Sequence, residues 1–257
     1  MQLFRYGPAE SQVGDLHLPK AAHAPVICLL HGGFWRLPYA RDQMTPLAED
    51  LTRRGYAAWN LEYRRIGEKG GGWPGTVQDV YDGIDLLAKF SDHGAELDLS
   101  RVVTVGHSAG GHLALWSAGS RRLALDARPS RVRVMAAVGQ APAADLMQVY
   151  ERNLSKGVAQ EFLGGTPKEF PDRYAAASPR ALLPLGVPQL LVHGSEDDCV
   201  PVEMSRDYVA AAQKTGDKVD YVELPGAGHF EHLDPKGEAW KAVTEWLERV
   251  LKGAFPT

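Results

Sequence analysis

Residues 101–105 read Arg101-Val102-Val103-Thr104-Val105, a short β-branched run, and residues 106–112 read Gly106-His107-Ser108-Ala109-Gly110-Gly111-His112. Leu113, Ala114, Leu115 and Trp116 follow, all compatible with a helix. A strand therefore turns sharply into a helix around a serine flanked by glycines, the G-x-S-x-G elbow. Glycines stand where side chains would strike neighbouring backbone. The turn lifts the Ser108 hydroxyl out of the sheet, to where a base and a substrate can reach it. Backbone N–H groups at the helix start point toward developing negative charge. The competing reading is a plain glycine-lined turn, and the rest of the chain decides between the two.

The flanking pattern is one of strands alternating with helices. Val26-Ile27-Cys28-Leu29-Leu30 is a continuous apolar run, the mark of a strand buried on both faces. Further strands are expected over residues 2–6, 12–18, 56–63, 132–138, 188–192 and 219–224. Helices are expected over about 41–54, from Pro74 onward, from near Pro201 and at the C-terminus. Val77, Val80, Ile84 and Leu87 share one helical face, and Ala239, Val243, Trp246, Leu247 and Val250 mark an amphipathic last helix. This alternation predicts an α/β fold with a mostly parallel sheet covered on both faces. One domain over 1–257 is expected. The irregular stretch at about 142–185, with short helical pieces at 145–150 and 159–163, reads as a small cap or lid inserted into it.

Composition removes several classes of function. The formal net charge is −4, and there is no basic run, so nucleic acid is not an expected partner. No apolar stretch approaches a membrane span. The first residues lack the pattern of a signal peptide, and the two cysteines, Cys28 and Cys199, make no disulfide framework. A cytoplasmic location is the resulting expectation. Homodimerisation is left open.

A serine hydroxyl needs a base within reach, and the base needs an orienting acid. On an elbow of this kind the chain order is Ser, then Asp or Glu, then His. Glu196, Asp197 and Asp198 compete as the acid in the loop leaving the strand near 188–192. Their competing role is to cap the helix near Pro201, which suits Asp198. The base candidate is His229, in the glycine-rich turn Gly226-Ala227-Gly228 after the last strand, with His232 as runner-up. His229 and His232 also form a His-x-x-His pair, but no third ligand of matching spacing appears, so no metal and no cofactor are expected. His31-Gly32-Gly33-Phe34-Trp35 follows the 26–30 strand, where backbone N–H groups can form an oxyanion hole.

At these residues the chain resembles the α/β-hydrolase superfamily, on the esterase/lipase branch that holds hormone-sensitive-lipase-like esterases and the kynurenine formamidase (arylformamidase) group. The resemblance covers nearly the whole chain. His31-Gly32-Gly33-Phe34-Trp35 is similar to the formamidase loop, and Glu62-Tyr63-Arg64-Arg65, Trp73-Pro74, Gln78-Asp79-Val80 and Ser178-Pro179 are similar to recurring segments. His193-Gly194-x-x-Asp197-x-x-Val200-Pro201 matches the acid motif, and this match favours Asp197 over Asp198. The resemblance implies an eight-stranded α/β-hydrolase fold with Ser108 as nucleophile, His229 as general base and Asp197 as its orienter. It implies oxyanion donors from Gly33, Phe34 and Ala109, with Gly32 shaping the loop. Phe34 departs from the third glycine of the lipases, which narrows the acyl side.

The expected substrate is a small ester or N-formyl amide. Trp35, Tyr39, Trp73 and Phe230 are candidate aromatic walls for it, and core or loop packing is the alternative role of each. A small serine peptidase and a non-catalytic ligand receptor or scaffold of hydrolase fold are the competing readings. The second usually loses a triad member, and here all three stand in order.

Overall fold

The computed structural model describes residues 1–93, 95–120, 123 and 130–253. The last four residues of the expected domain, 254–257, lie outside the described residues. Eight strands form one sheet: β1 (Gln2–Arg5), β2 (Val13–His17), β3 (Ala24–Leu30), β4 (Ala57–Leu61), β5 (Leu97–His107), β6 (Val134–Gln140), β7 (Gln189–Gly194) and β8 (Val219–Leu224). Their order is β1-β2-β4-β3-β5-β6-β7-β8. β1 and β2 pair antiparallel, as do β2 and β4, and every later pairing is parallel.

The apolar run of β3 shows why the sheet is buried on both sides. Val26, Cys28 and Leu30 face one core, and Ile27 and Leu29 face the other. Side chains alternate across a strand, so a run without polar gaps needs cover on both faces. On one face lie α1 (Thr45–Arg53) and α8 (Glu238–Leu251), which bring Leu47, Leu51, Trp240 and Trp246 onto Ile27, Val103 and Val138. On the other lie α2 (Gly75–Asp85), α3 (Ala109–Gly119) and α7 (Val202–Lys214). Every residue of α3 is buried. That explains its all-round apolar sequence: sheet, helix and inserted segment enclose it.

Between β6 and β7 the chain forms α4 (Leu146–Glu151), α5 (Val158–Leu163) and α6 (Pro171–Ala177). The third of these was not expected from sequence. Its apolar contacts, Tyr174 and Ala177, are too few to show a period, although Pro171 at the helix start is a local signal. The expected helix from 41 divides into a 3-10 turn, Arg41–Met44, and then α1, with Pro46 in its first turn. Among the described residues no helix is long and apolar enough to cross a membrane.

Candidate active site

The carboxyl ends of β3, β5, β7 and β8 lie along one edge of the sheet, where ligands of open α/β sheets collect. Each delivers one of the segments singled out above. Ser108 follows β5 and caps α3 with φ 57° and ψ −119°, a conformation rare for a residue with a side chain. Its side chain makes no capping bond, so the hydroxyl is not used by the helix. The glycines around it are there for space. A methyl on Gly106 would sit 2.0 Å from the Gly110 carbonyl oxygen, and one on Gly110 would sit 2.0 Å from that of Leu30. The elbow folds only if both side chains are absent.

Asp197 and His229 meet on the neighbouring loops. His229 Nδ1 lies 2.6 Å from Asp197 Oδ2. The other carboxylate oxygen accepts the backbone N–H groups of Cys199 and Val200, each at 2.8 Å. Burial alone would raise the Asp197 carboxyl, but the bonds from His193 and His229 outweigh it and hold it far below the usual carboxylate range. Asp197 is therefore a fixed anion. Asp198 is exposed and accepts the Cys199 thiol at 3.3 Å. It does not cap α7, whose N-cap is Pro201 with no side-chain bond, so the expected capping role is corrected. Burial and Asp198 push the Cys199 thiol up to about 12, which removes it as a competing nucleophile.

His232 does not join this pair. It is fully buried, both ring nitrogens lack a hydrogen-bond partner among the described residues, and burial with the charges of His193 and His229 pushes it down to about 3. It is a neutral packing ring. His107, whose Nε2 donates to the His229 carbonyl at 2.8 Å, is likewise held neutral by burial and by its two histidine neighbours.

The loop after β3 approaches the serine closely. A methyl on Gly32 would lie 3.1 Å from Ser108 Cβ. Gly33 (φ 105°) and Phe34 (φ 51°) are both left-handed, a turn that exposes successive N–H groups. Neither N–H meets an acceptor among the described residues. Ala109 opens α3, so its N–H has no partner within the helix.

Behind the loop, His31 Nε2 lies 2.7 Å from Glu62 Oε1 and Nδ1 lies 2.8 Å from the Gly32 carbonyl. Tyr63 stacks on the His31 ring at 4.2 Å and donates its hydroxyl to the His31 carbonyl at 2.7 Å. Burial raises the Glu62 carboxyl, and the His31 bonds bring it below its ordinary value. Arg64 clamps Asp79 of α2 through Nε at 2.8 Å and Nη2 at 2.6 Å. The segment Glu62-Tyr63-Arg64-Arg65 thus braces the loop after β3, a role its sequence did not reveal. His193 was also missed as a site residue. It stood four positions before Asp197 in the acid motif, and that spacing was the available signal.

The expected aromatic walls separate into different groups. Trp35 is a correction: it is fully buried, stacked on Phe162 of α5 at 4.7 Å, and its indole N–H donates to His112 Nδ1 at 3.2 Å. A ring enclosed in this way packs the loop against α3 and α5 and offers no face to a ligand. Trp73 is half-buried against the larger core, with its backbone N–H on the Phe162 carbonyl at 2.8 Å. Tyr39 is exposed and lies over Gly33. Phe230 is 63% exposed, and its ring meets the His229 ring edge-on at 5.2 Å.

The metal expectation also changes. Among the described residues, Asp197, Cys199 and His229 form a group that could hold a cation, a donor set that the His229–His232 spacing did not point to.

A model of the BD-FAE family matches residues 15–211. Esterase LipC of Mycobacterium tuberculosis is 28% identical over 271 residues, covering 95% of this chain and 64% of that protein. The isoprenylcysteine alpha-carbonyl methylesterase ICME of Arabidopsis thaliana is 26% identical over 244 residues, covering 88% of this chain and 55% of that protein. The chain therefore spans less than two thirds of the length of these relatives. A truncated carbohydrate esterase from gut microbiota superposes with a TM-score of 0.82 at 21% identity, covering 97% of this chain and 96% of that one. Propionate-bound esterase Est2 of Thermogutta terrifontis superposes with a TM-score of 0.78 at 24% identity, covering 100% and 96%. The fold is the α/β-hydrolase fold of these esterases.

Proposed function

The chain belongs to the BD-FAE family, and from that membership and the site geometry we propose that it is a serine hydrolase of small carboxylic esters. The observation that carries the reading is the 2.6 Å contact of His229 Nδ1 with an Asp197 carboxylate whose other oxygen is pinned by two backbone N–H groups. An imidazole oriented in this way presents Nε2 as a base.

In this reading Ser108 Oγ attacks the ester carbonyl while His229 takes its proton. The tetrahedral oxyanion is held by the N–H groups of Gly33, Phe34 and Ala109, each such donor contributing about 3 kcal/mol to the transition state. His229 then protonates the leaving alcohol. Water, activated by the same imidazole, cleaves the acyl-enzyme. No step needs a cofactor. The segment from Pro142 to Leu185 acts as a cap over the acyl side, fastened to the loop by Arg36, which reaches the Ser155 carbonyl at 2.9 Å and Glu161 at 2.6 Å. The esterase names of LipC and of ICME support the reaction class.

A second substrate, an N-formyl arylamine, is favoured by the exposed Phe230 ring beside His229. Both readings are tested with p-nitrophenyl esters of rising length beside N-formylkynurenine, on the parent and on Ser108→Ala. The parent should hydrolyse acetyl and butyryl esters and accept a fluorophosphonate label. Ser108→Ala should keep the fold, lose the label and lose activity by at least about 10³-fold, leaving what the oxyanion hole supplies. Activity in Ser108→Ala within a factor of about ten of the parent would remove the assignment.

A further inference from the structure

Three side chains from two loops gather different donor types beside the candidate base. Asp197 and Cys199 lie on the loop after β7, and His229 lies on the turn after β8. A carboxylate oxygen of Asp197, the Cys199 sulfur and a ring nitrogen of His229 all lie within 4.8 Å of one another. Glu196, Asp198 and Glu231 line the open pocket in front of His229, so the local field attracts cations. Asp198 Oδ1 is itself 3.3 Å from the Cys199 sulfur.

We propose that Asp197, Cys199 and His229 form an inhibitory site for a thiophilic divalent cation such as zinc. Sulfur, imidazole nitrogen and carboxylate oxygen are the donors zinc takes in tetrahedral sites, whereas magnesium and calcium take oxygen alone. Tetrahedral zinc places its ligand atoms roughly 3.5 Å apart, so a separation at the 4.8 Å limit closes by on the order of 1 Å, and the His229 Nδ1–Asp197 Oδ2 pair, if used, opens by a similar amount. Asp198 or water completes the fourth position. On binding, the Cys199 S–H bond breaks, its proton leaves to solvent and a metal–sulfur bond forms, with no change of oxidation state.

Inhibition follows whichever ring nitrogen is used. At Nδ1 the ring proton moves to Nε2, so the metal replaces the hydrogen bond to Asp197 and leaves Nε2 protonated and unable to act as base; at Nε2 the metal occupies the base itself. Metal and catalysis compete for the same two side chains. This consequence rests on the serine-hydrolase reading, while the binding itself does not.

The test is calorimetric titration of the metal-free full chain with zinc chloride, repeated with magnesium chloride and with Cys199→Ser and Cys199→Ala. The parent should bind one zinc per chain and no magnesium. Both variants should bind zinc at least about tenfold more weakly, and zinc inhibition of each is read against its own metal-free kcat/KM. Cobalt should give a thiolate charge-transfer band in the parent alone. Zinc should inhibit the parent at its binding concentration, and inhibition should weaken in each variant by the same factor as binding. Absence of stoichiometric zinc binding, or equal affinity in parent and Cys199→Ser, overturns the site. Cysteine-dependent zinc binding in a chain that hydrolyses no ester would support the site and remove the hydrolase reading.

Discussion

His193 Nε2 lies 3.1 Å from Asp197 Oδ2, the same oxygen that His229 Nδ1 meets at 2.6 Å. The Val200 carbonyl lies 2.9 Å from His193 Nε2 as well. Both neighbours are acceptors, so Nε2 carries the proton, and Nδ1 is left to accept from the Ser205 hydroxyl at 2.7 Å. In the proposed serine-hydrolase reading His193 is a positioning residue. It locks one carboxylate oxygen and so sets where His229 points.

If that is its role, His193→Leu should lower kcat by about 100-fold, the scale of a misplaced catalytic group, with KM little changed. His193→Gln keeps a donor near the Nε2 position and should recover most of the loss. Steady-state kinetics on a short-chain ester separate the two effects. A rise in KM at constant kcat would show that His193 shapes binding instead.

Asp197→Asn should be far more damaging than Asp198→Asn. An amide facing His229 favours the wrong tautomer, a change worth about 10⁴-fold in serine-protease chemistry. Asp198 contacts the Cys199 thiol and solvent, so its amide should leave kcat near the parent value. Equal losses in the two variants would contradict the assignment of the acid.

Stability should fall on acidification partly through His112. Its Nδ1 accepts from Trp35, its Nε2–H donates to the Ala177 carbonyl at 2.8 Å, and burial pushes it down to about 4. The unfolded chain takes up the proton near pH 6.5, where the folded chain refuses it. The contribution is therefore complete above about pH 6.5 and is lost as pH falls toward 4, amounting to about 3 kcal/mol. His232, pushed lower still, adds to the same limb. Urea unfolding measured across this range should show a shallower acid limb for His112→Gln. An unaltered slope would mean that His112 does not resist protonation.

The acyl group should be short. Phe34 stands in the loop after β3 that is proposed to hold the oxyanion, and Phe162 of α5 closes on Trp35 in the same loop. Acetyl to butyryl esters should exceed octanoyl in kcat/KM. Phe34→Gly tolerates the left-handed backbone and should raise the octanoyl-to-acetyl ratio. Specificity that climbs steadily from acetyl to dodecanoyl in the parent would refute the narrow acyl side.

Much of this site was legible because local rules act over a few residues. The elbow at Ser108 needs a strand, two glycines and a helix in succession, and close approach of backbone forbids any other residue at Gly106 or Gly110. The β3 run announced burial on both faces because strand periodicity is short. Trp35 and His193 resisted such reading. Whether Trp35 faces a ligand or a core depends on Phe162 and His112, far away along the chain.

The sequence by itself determined the strand–helix alternation, the glycine-dependent turns and the chain order of Ser108, Asp197 and His229, since each rests on neighbours in the chain. Only the tertiary structure decided which partners those groups meet. It set His193 on Asp197, braced the loop from behind with Glu62, and brought Cys199 to His229. It also enclosed His232 as a neutral ring. Burial and charge neighbours set a side chain's protonation and reach, and both are properties of packing between loops that are distant in sequence.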